Sequence, residues 1–207
     1  RSKVEELTSG TFQEVLDDGP TDGVAATEVT RVVFASGKVT HEAVAKRDEL
    51  GAAVAVARME QLYPWPLEQV AEVLSRYPNA GEIFWFQEEP ENMGPWSFVK
   101  GRFYEAHGET HLIHRVSRTE SGSPATGSNA VHHQEQAALL ADAYFRLGRP
   151  ADADRVFDTG YAAALRLLEL EPESLEYRFA MAPYEVGLAT RALRQSLPLL
   201  GPEASAK

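Results

Sequence analysis

AVARMEQLYPWPLEQVAEVLSRYPNAGEIFWFQEEPENMGPW, residues 55–96, holds two apolar runs separated by an amphipathic, proline-bounded segment. The first run, Ala53–Arg58, and the third of the chain, Glu82–Phe86, are short, unbroken and apolar, as strands buried on both faces must be. Between them Pro66–Tyr77 reads as a helix, with a proline at its start and Pro78-Asn79 to stop it. An acidic segment broken by Pro and Gly follows, from Gln87 through Glu88, Glu89, Asn92 and Gly94 to Trp96. It is too particular to be ordinary loop filler.

The same alternation extends in both directions. Val29–Ala35 is a β-branched run and a further strand, Val39–Leu50 a helix, Phe98–Ala106 a short helix, and His111–Val116 a fourth strand. Strands alternating with helices predict an α/β fold of three layers around a mostly parallel sheet. Residues 1–26 read as a lead-in: a short helical stretch and then a turn or linker at Asp17–Gly23. The α/β domain is expected over 27–145. Residues 146–207 read as an all-helical extension, and the pattern from Asn129 onward predicts helices at Val131–Leu147, Ala151–Leu170 and Leu175–Leu200. The segment LADAYFRLGRPADADRVF resembles one tetratricopeptide helix pair, but a solenoid needs about three repeats, so a packed helical appendage is the expectation.

Composition limits the partners. The 207 residues carry a net charge of −11, which disfavours nucleic acid and anionic membrane, since both call for a Lys/Arg field. There is no cysteine, hence no disulfide frame, thiolate metal site or thiol nucleophile. No run is long and apolar enough for a membrane span, and a cytoplasmic location is expected. Because the chain opens at Arg1 inside a helical pattern, it is expected to be a piece of something longer.

Individual motifs carry little catalysis. Ser36-Gly37-Lys38 joins a strand to a helix, where backbone N–H groups can hold an anion. The phosphate-loop pattern GxxxxGK[ST] fails at both ends, on Val32 and Val39. A tight turn with a lysine at its rim is the simpler reading, and an anionic effector remains the functional one. The small-residue loop Ser121–Ser128 is similar: an anion nest or a plain connection. His107, His111 and His114 are suggestively spaced, but strand residues three apart face opposite sides; His132 and His133 diverge on a helix. No metal site is expected. Glu88 and Glu89 could in principle share acid–base work, but neighbours point apart, and a salt-bridged structural turn explains them equally well. No GxSxG elbow is present.

RVVFASGKV (31–39), ARMEQLYPWP (57–66), RYPNA (76–80) and WFQEEPENMGPW (85–96) together resemble the C-terminal domain of 2-oxoglutarate dehydrogenase, in its decarboxylating, thiamine-diphosphate-dependent component. LTSGTFQEVL (7–16) resembles the linker before that domain, and residues 114–145 its closing segment, so the likeness spans roughly residues 4–145. It implies a transketolase C-terminal fold that supports a homodimer. The intact enzyme would use thiamine diphosphate and Mg²⁺, decarboxylate 2-oxoglutarate, and succinylate a lipoyl group on the succinyltransferase component of the complex. The resemblance also implies that cofactor and metal sites lie in preceding domains bearing a Gly-Asp-Gly motif; Asp17-Asp18-Gly19 and Thr21-Asp22-Gly23 lack its leading glycine. Catalytic residues and cofactor ligands are therefore not expected here.

In some relatives this domain contributes to an allosteric anion site. The basic positions of that site match Thr11, Glu68 and Gln69 here, and an acidic Glu68 repels phosphate. The cations left in matching segments are Arg31, Lys38, Arg58 and Arg118, with Ser36 beside them. Arg118 is the first candidate for an effector or interface contact; its alternative is a structural arginine pairing with the Glu88/Glu89 turn. The competing function is a helical protein-interaction module, resting on the tail, fused to a degenerate α/β domain.

Overall fold

The computed structural model describes residues 10–124, the helix Pro150–Leu170, and isolated positions at 8, 127, 131, 132, 135, 136, 139, 172 and 173. The chain divides into two compact units, Arg1–Pro124 and Ala125–Lys207. In the first, five strands form one sheet in the order β1-β3-β2-β4-β5: β1 (Val15–Asp17), β2 (Arg31–Ala35), β3 (Val54–Met59), β4 (Glu82–Pro90) and β5 (Leu112–Arg118). Helices α1 (Lys38–Leu50), α2 (Leu67–Ser75) and α3 (Trp96–His107) alternate with β2 to β5. The pairs β3/β2, β2/β4 and β4/β5 are parallel. The mixed α/β architecture read from the sequence is the one observed.

Side-chain alternation explains the layers. Val32 and Phe34 of β2, Ala55, Ala57 and Met59 of β3, and Ile83 and Trp85 of β4 belong to one core cluster. The same cluster contains Val70, Val73 and Leu74 of α2, at the three- and four-residue spacing of one helix face, and Val99 and Phe103 of α3. Phe103 is its hub, with ring centroids 5.2 Å from Phe34, 5.3 Å from Trp65 and 6.5 Å from Trp85. Burying such a ring contributes about 1.5–3 kcal/mol. The intervening strand residues Val33, Val54, Val56, Phe84 and Phe86 are also buried. All six residues of β3 are buried, as a central strand covered on both faces requires.

Three expectations change. The lead-in was read as helix followed by linker, yet Val15–Asp17 is a strand, antiparallel to β3 through Val15↔Met59 and Asp17↔Ala57. Three residues are too few to show a period, so the pairing partner decides their state. Secondly, β4 does not stop at Phe86 but runs to Pro90, with a register irregularity between those residues; the acidic segment begins as strand and turns only afterward. Thirdly, β5 starts at Leu112, leaving His111 outside it: the His111 N–H donates to the His107 carbonyl at 2.9 Å, in a turn that closes α3.

In the second unit α4 (Pro150–Leu170) matches the helix expected at Ala151–Leu170. The described positions between 131 and 139 are helical; the remainder of the Val131–Leu147 reading, His133 and all of Leu175–Leu200 lie outside the described residues. Along α4, Phe157, Gly160 and Ala164 form a buried stripe. Among the described residues no helix is long and apolar enough to cross a membrane.

Candidate functional site

Strand β2 has β3 on one side and β4 on the other, so the chain reverses its direction of progress between β2 and β4. In open α/β sheets, ligands bind outside the carboxyl ends of strands at such a point. Two segments border it: Ser36-Gly37-Lys38 and the run Gln87–Trp96. Register places them side by side, since Ala35 pairs with Phe86.

The Gln87–Trp96 run is organised by a single neutral side chain. Gln87 is 2 % exposed. Its carbonyl oxygen accepts from the Trp85 indole N–H at 2.8 Å and from the Trp96 backbone N–H at 3.0 Å. Its amide donates to the carbonyls of Met93 at 2.8 Å, Pro90 at 3.1 Å and Glu89 at 3.3 Å. A buried amide must find such partners or forfeit its desolvation cost. Gly94 sits against it at φ +68°, where a Cβ would come within 3.0 Å of Glu89 Cβ and 3.2 Å of Gln87 Nε2. Only glycine adopts this conformation and leaves that space.

The run is also tied to the end of β5. Asn92 clasps Ser121 twice, donating to its carbonyl at 2.9 Å and accepting from its N–H at 3.1 Å. The Glu91 N–H donates to the Arg118 carbonyl at 2.9 Å. The Arg118 guanidinium donates to the Glu88 backbone carbonyl, and Arg115 pairs with Glu91 while lying 5.8 Å over the Trp96 ring. Arg118 thus grips the main chain of the turn.

Glu88 and Glu89 are drawn apart. Glu89 lies over Gly94, whereas the negative field of Glu88 reaches Lys38. Lys38 is held above its usual range chiefly by its hydrogen bond to Glu42, then by the charges of Glu42 and Glu88. Its ion pair with Glu42 spans 3.2 Å on the surface, a geometry that contributes little. One carboxylate oxygen of Glu88, Oε2, is buried with no hydrogen-bond partner, as is Oγ1 of Thr40 in the first turn of α1.

The cations singled out in the sequence do not gather at one point. Arg31, at the amino end of β2, donates to Glu82 at 2.5 Å, and the other Glu82 oxygen lies 3.3 Å from His114. Arg58 closes β3 next to Ala35 and is 7 % exposed, paired with Asp18 at 2.7 Å. Lys38, Arg58 and Arg118 share the carboxyl edge of the sheet with Ser36; Arg31 is at the opposite edge.

Sequence reading missed a second hub. The Asp17 carboxylate lies 2.8 Å from the Tyr77 hydroxyl by both oxygens and 3.0 Å from Arg76, and it accepts the Gly19 N–H at 2.9 Å. Arg47, 7 % exposed, donates to the carbonyls of Asp18 and Gly19. Burial first, then the hydrogen bond to Asp17, pushes the Tyr77 phenol well above its ordinary value of 10.0. The available signal was a polar Asp-Asp-Gly beside a strand, with buried-type Arg and Tyr elsewhere; only the fold brings them together.

These same contacts test the residues as a cofactor cradle. Both aspartates are occupied by Arg and Tyr partners, and among the described residues no group of three His, Cys, Asp or Glu could hold a metal ion. The described residues therefore offer no carboxylate set for Mg²⁺. The His107 and His111 rings meet edge to face at 5.9 Å, His114 stacks on Phe84 at 4.8 Å, and the trio does not converge. Burial lowers the affinity of both His107 and His111 for a proton, with the neighbouring His111 charge adding to the effect on His107.

A model of the 2-oxoglutarate dehydrogenase C-terminal family matches residues 1–144. The chain belongs to that family. Relatives of this 2-oxoglutarate dehydrogenase C-terminal domain include the 2-oxoglutarate dehydrogenase E1 component of Cupriavidus necator, 41% identical over 147 residues, covering 70% of this chain and 15% of that protein. The E1 component of an Exiguobacterium species is 36% identical over 148 residues, 70% of this chain and 16% of the relative. A Dictyostelium discoideum protein named as a probable 2-oxoadipate dehydrogenase complex component E1 homolog is 38% identical over 145 residues, 69% and 16% of the two chains. The chain thus spans about one sixth of the length of the relatives it matches. The family match takes in both hubs and stops before α4.

Proposed function

We propose that this chain is the C-terminal part of an E1 enzyme that oxidatively decarboxylates 2-oxoglutarate and succinylates a lipoyl carrier. The observation that carries the reading is the match over residues 1–144 to the 2-oxoglutarate dehydrogenase C-terminal family, with relatives bearing that enzyme's name. The family-matched residues, 1–144, with β1 as part of their sheet, serve as a transketolase-type C-terminal domain that supports a homodimer, and 146–207 as a helical extension. Thiamine diphosphate and Mg²⁺, with the groups that hold them, belong to parts of the enzyme outside these residues. The lipoyl-bearing succinyltransferase is the partner component, and the cytoplasm is the place of action. The signature run contributes rigidity, since the buried Gln87 amide at its centre engages the Trp85 indole, the Trp96 N–H and three carbonyls of the run.

The 207-residue chain alone is expected to show no thiamine-dependent decarboxylation, while the E1 enzyme that contains it does so with 2-oxoglutarate. Turnover by the chain alone would overturn the reading. Because one relative is named for 2-oxoadipate, the assay compares the two substrates, which differ by a methylene. A regulatory role centres on Arg118, with Ser36, Lys38 and Arg58 along the same edge and Arg31 outside it. Arg118→Ala in the whole enzyme then changes the response to an anionic effector such as acetyl-CoA while basal turnover persists; an unchanged response removes this role.

The long helix α4 in the second unit, outside the family match, favours a second reading, a helical interaction module fused to a degenerate α/β domain. Limited proteolysis separates the two: shedding of 146–207 with the α/β part intact marks an appendage, and joint protection marks a shared core.

A further inference from the structure

Opposite the well-paired interior of this domain stands a surface that its own residues leave uncovered. Tyr63 is 79 % exposed, Phe12 66 % and Leu67 50 %. They come from two segments that the fold holds together: the Glu60 and Gln61 N–H groups both donate to the Glu14 carbonyl, at 2.9 and 3.1 Å. Phe12 lies two residues beyond Glu14 along this antiparallel approach, and Tyr63 two beyond Gln61. Leu67 follows at the start of α2.

The platform beneath is fixed. Pro64 and Pro66 restrict the backbone, Gln61 Nε2 donates to the Pro64 carbonyl at 3.2 Å, and the Trp65 ring packs inward on Phe98 at 6.3 Å and Phe103 at 5.3 Å. A tyrosine presented on a rigid support loses little freedom on docking, and Tyr is among the residues that dominate interfaces. Three large apolar side chains are thus exposed on two segments joined by backbone hydrogen bonds, and exposed apolar groups that gather mark contact surfaces.

Charge selects the occupant. Residues 11–16 and 60–69 contain Glu14, Glu60 and Glu68 and no lysine or arginine. A second copy of this surface would set glutamate against glutamate, and phosphate-bearing ligands would be repelled likewise. A complementary partner has an apolar socket rimmed by Lys and Arg. The relatives carry more than four fifths of their length outside the matched segment, so a larger enzyme body is at hand to supply it.

We infer that the Phe12–Tyr63–Leu67 surface is the face by which this domain docks onto the remainder of the E1 enzyme, in an apolar socket with a basic rim. The inference rests on the proposed membership of a larger E1 enzyme. It is tested on the enzyme purified from its source, by tyrosine iodination and by zero-length carboxyl-to-amine cross-linking. Relative to the 207-residue chain alone, iodination of Tyr63 in the enzyme falls about tenfold, while Tyr104, 50 % exposed on α3, reacts in both. Glu60 and Glu68 cross-link to lysines outside these 207 residues, and Glu68→Lys abolishes its link. Equal labelling of Tyr63 and Tyr104 in an enzyme that decarboxylates 2-oxoglutarate overturns the inference and leaves the functional reading standing. Cross-links confined to copies of this chain overturn it in favour of self-association. Protection of Tyr63 with external cross-links, in an assembly with no thiamine-dependent activity, supports the surface and removes the functional reading instead.

Discussion

Near the start of the domain, Asp17 and Asp18 gather Arg47, Arg58, Arg76 and Tyr77; at the end of β4, Gln87 alone gathers two N–H groups and three carbonyls. Both hubs fasten irregular chain to the sheet. The first does so with ionised groups, partly in contact with water, and the second with a neutral amide sealed from it. Charged hydrogen bonds are individually stronger, but they depend on pH and salt. The amide titrates nowhere, and its strength lies in satisfying five partners with one side chain.

The contrast is broken most directly at Gln87. Gln87→Ala strands the Trp85 indole and Trp96 N–H groups in the interior, and a loss on the order of 3–5 kcal/mol is expected by urea denaturation. Gln87→Glu sharpens the point: its carboxylate would face three carbonyls, so the variant is destabilised at neutral pH and recovers partly on acidification. A flat pH profile for that variant would contradict the assigned orientation of the amide. Next in size, Asp17→Ala costs about 2–3 kcal/mol, and Asp17→Asn about half as much because an acceptor for Tyr77 survives. Gly94→Ala follows at about 1–2 kcal/mol, from the left-handed backbone and the crowding against Glu89. Lys38→Ala, at an exposed pair, is expected to leave the urea midpoint where the parent has it.

A pH series reads the charged hub on its alkaline side, and the histidines that close α3 on its acid side. Tyr77 holds its proton in the folded state to higher pH than in the unfolded chain. Its contribution is therefore complete below about pH 10 and is lost as pH rises beyond it, and Tyr77→Phe removes that alkaline slope. His107 and His111 take up protons less readily when folded than their ordinary value of 6.5 implies. The unfolded chain then binds more protons as pH falls below about 6.5, so stability declines on the acid side, and His107→Gln lessens the decline. Thermal melts from pH 5 to 11 read both slopes.

The sheet was legible because β2, β3 and β4 are apolar on both faces and announce themselves without partners. Helix α2 was legible through its prolines and the Val70–Val73–Leu74 stripe. Strand β1 was not, since its state comes from pairing with β3 rather than from its own three residues. Resemblance marked the Gln87–Trp96 run as distinctive, but attention fell on Glu88 and Glu89 because charge suggests chemistry. The residue that organises the run is the neutral one beside them, and burial is what reveals it. The Asp17 hub escaped for the converse reason: its partners lie up to 60 positions away, a separation that no local pattern encodes.

Because β1 is woven into the sheet edge, trimming this protein at the apparent start of its α/β region, near residue 27, would not yield a smaller version of the same domain. It would strip a strand from β3, bare a row of unsatisfied backbone groups, and leave Arg58 buried without Asp18. Such a shortened chain is expected to stack through its raw β3 edge into aggregates, whereas a cut made before Thr11 would leave that border hemmed.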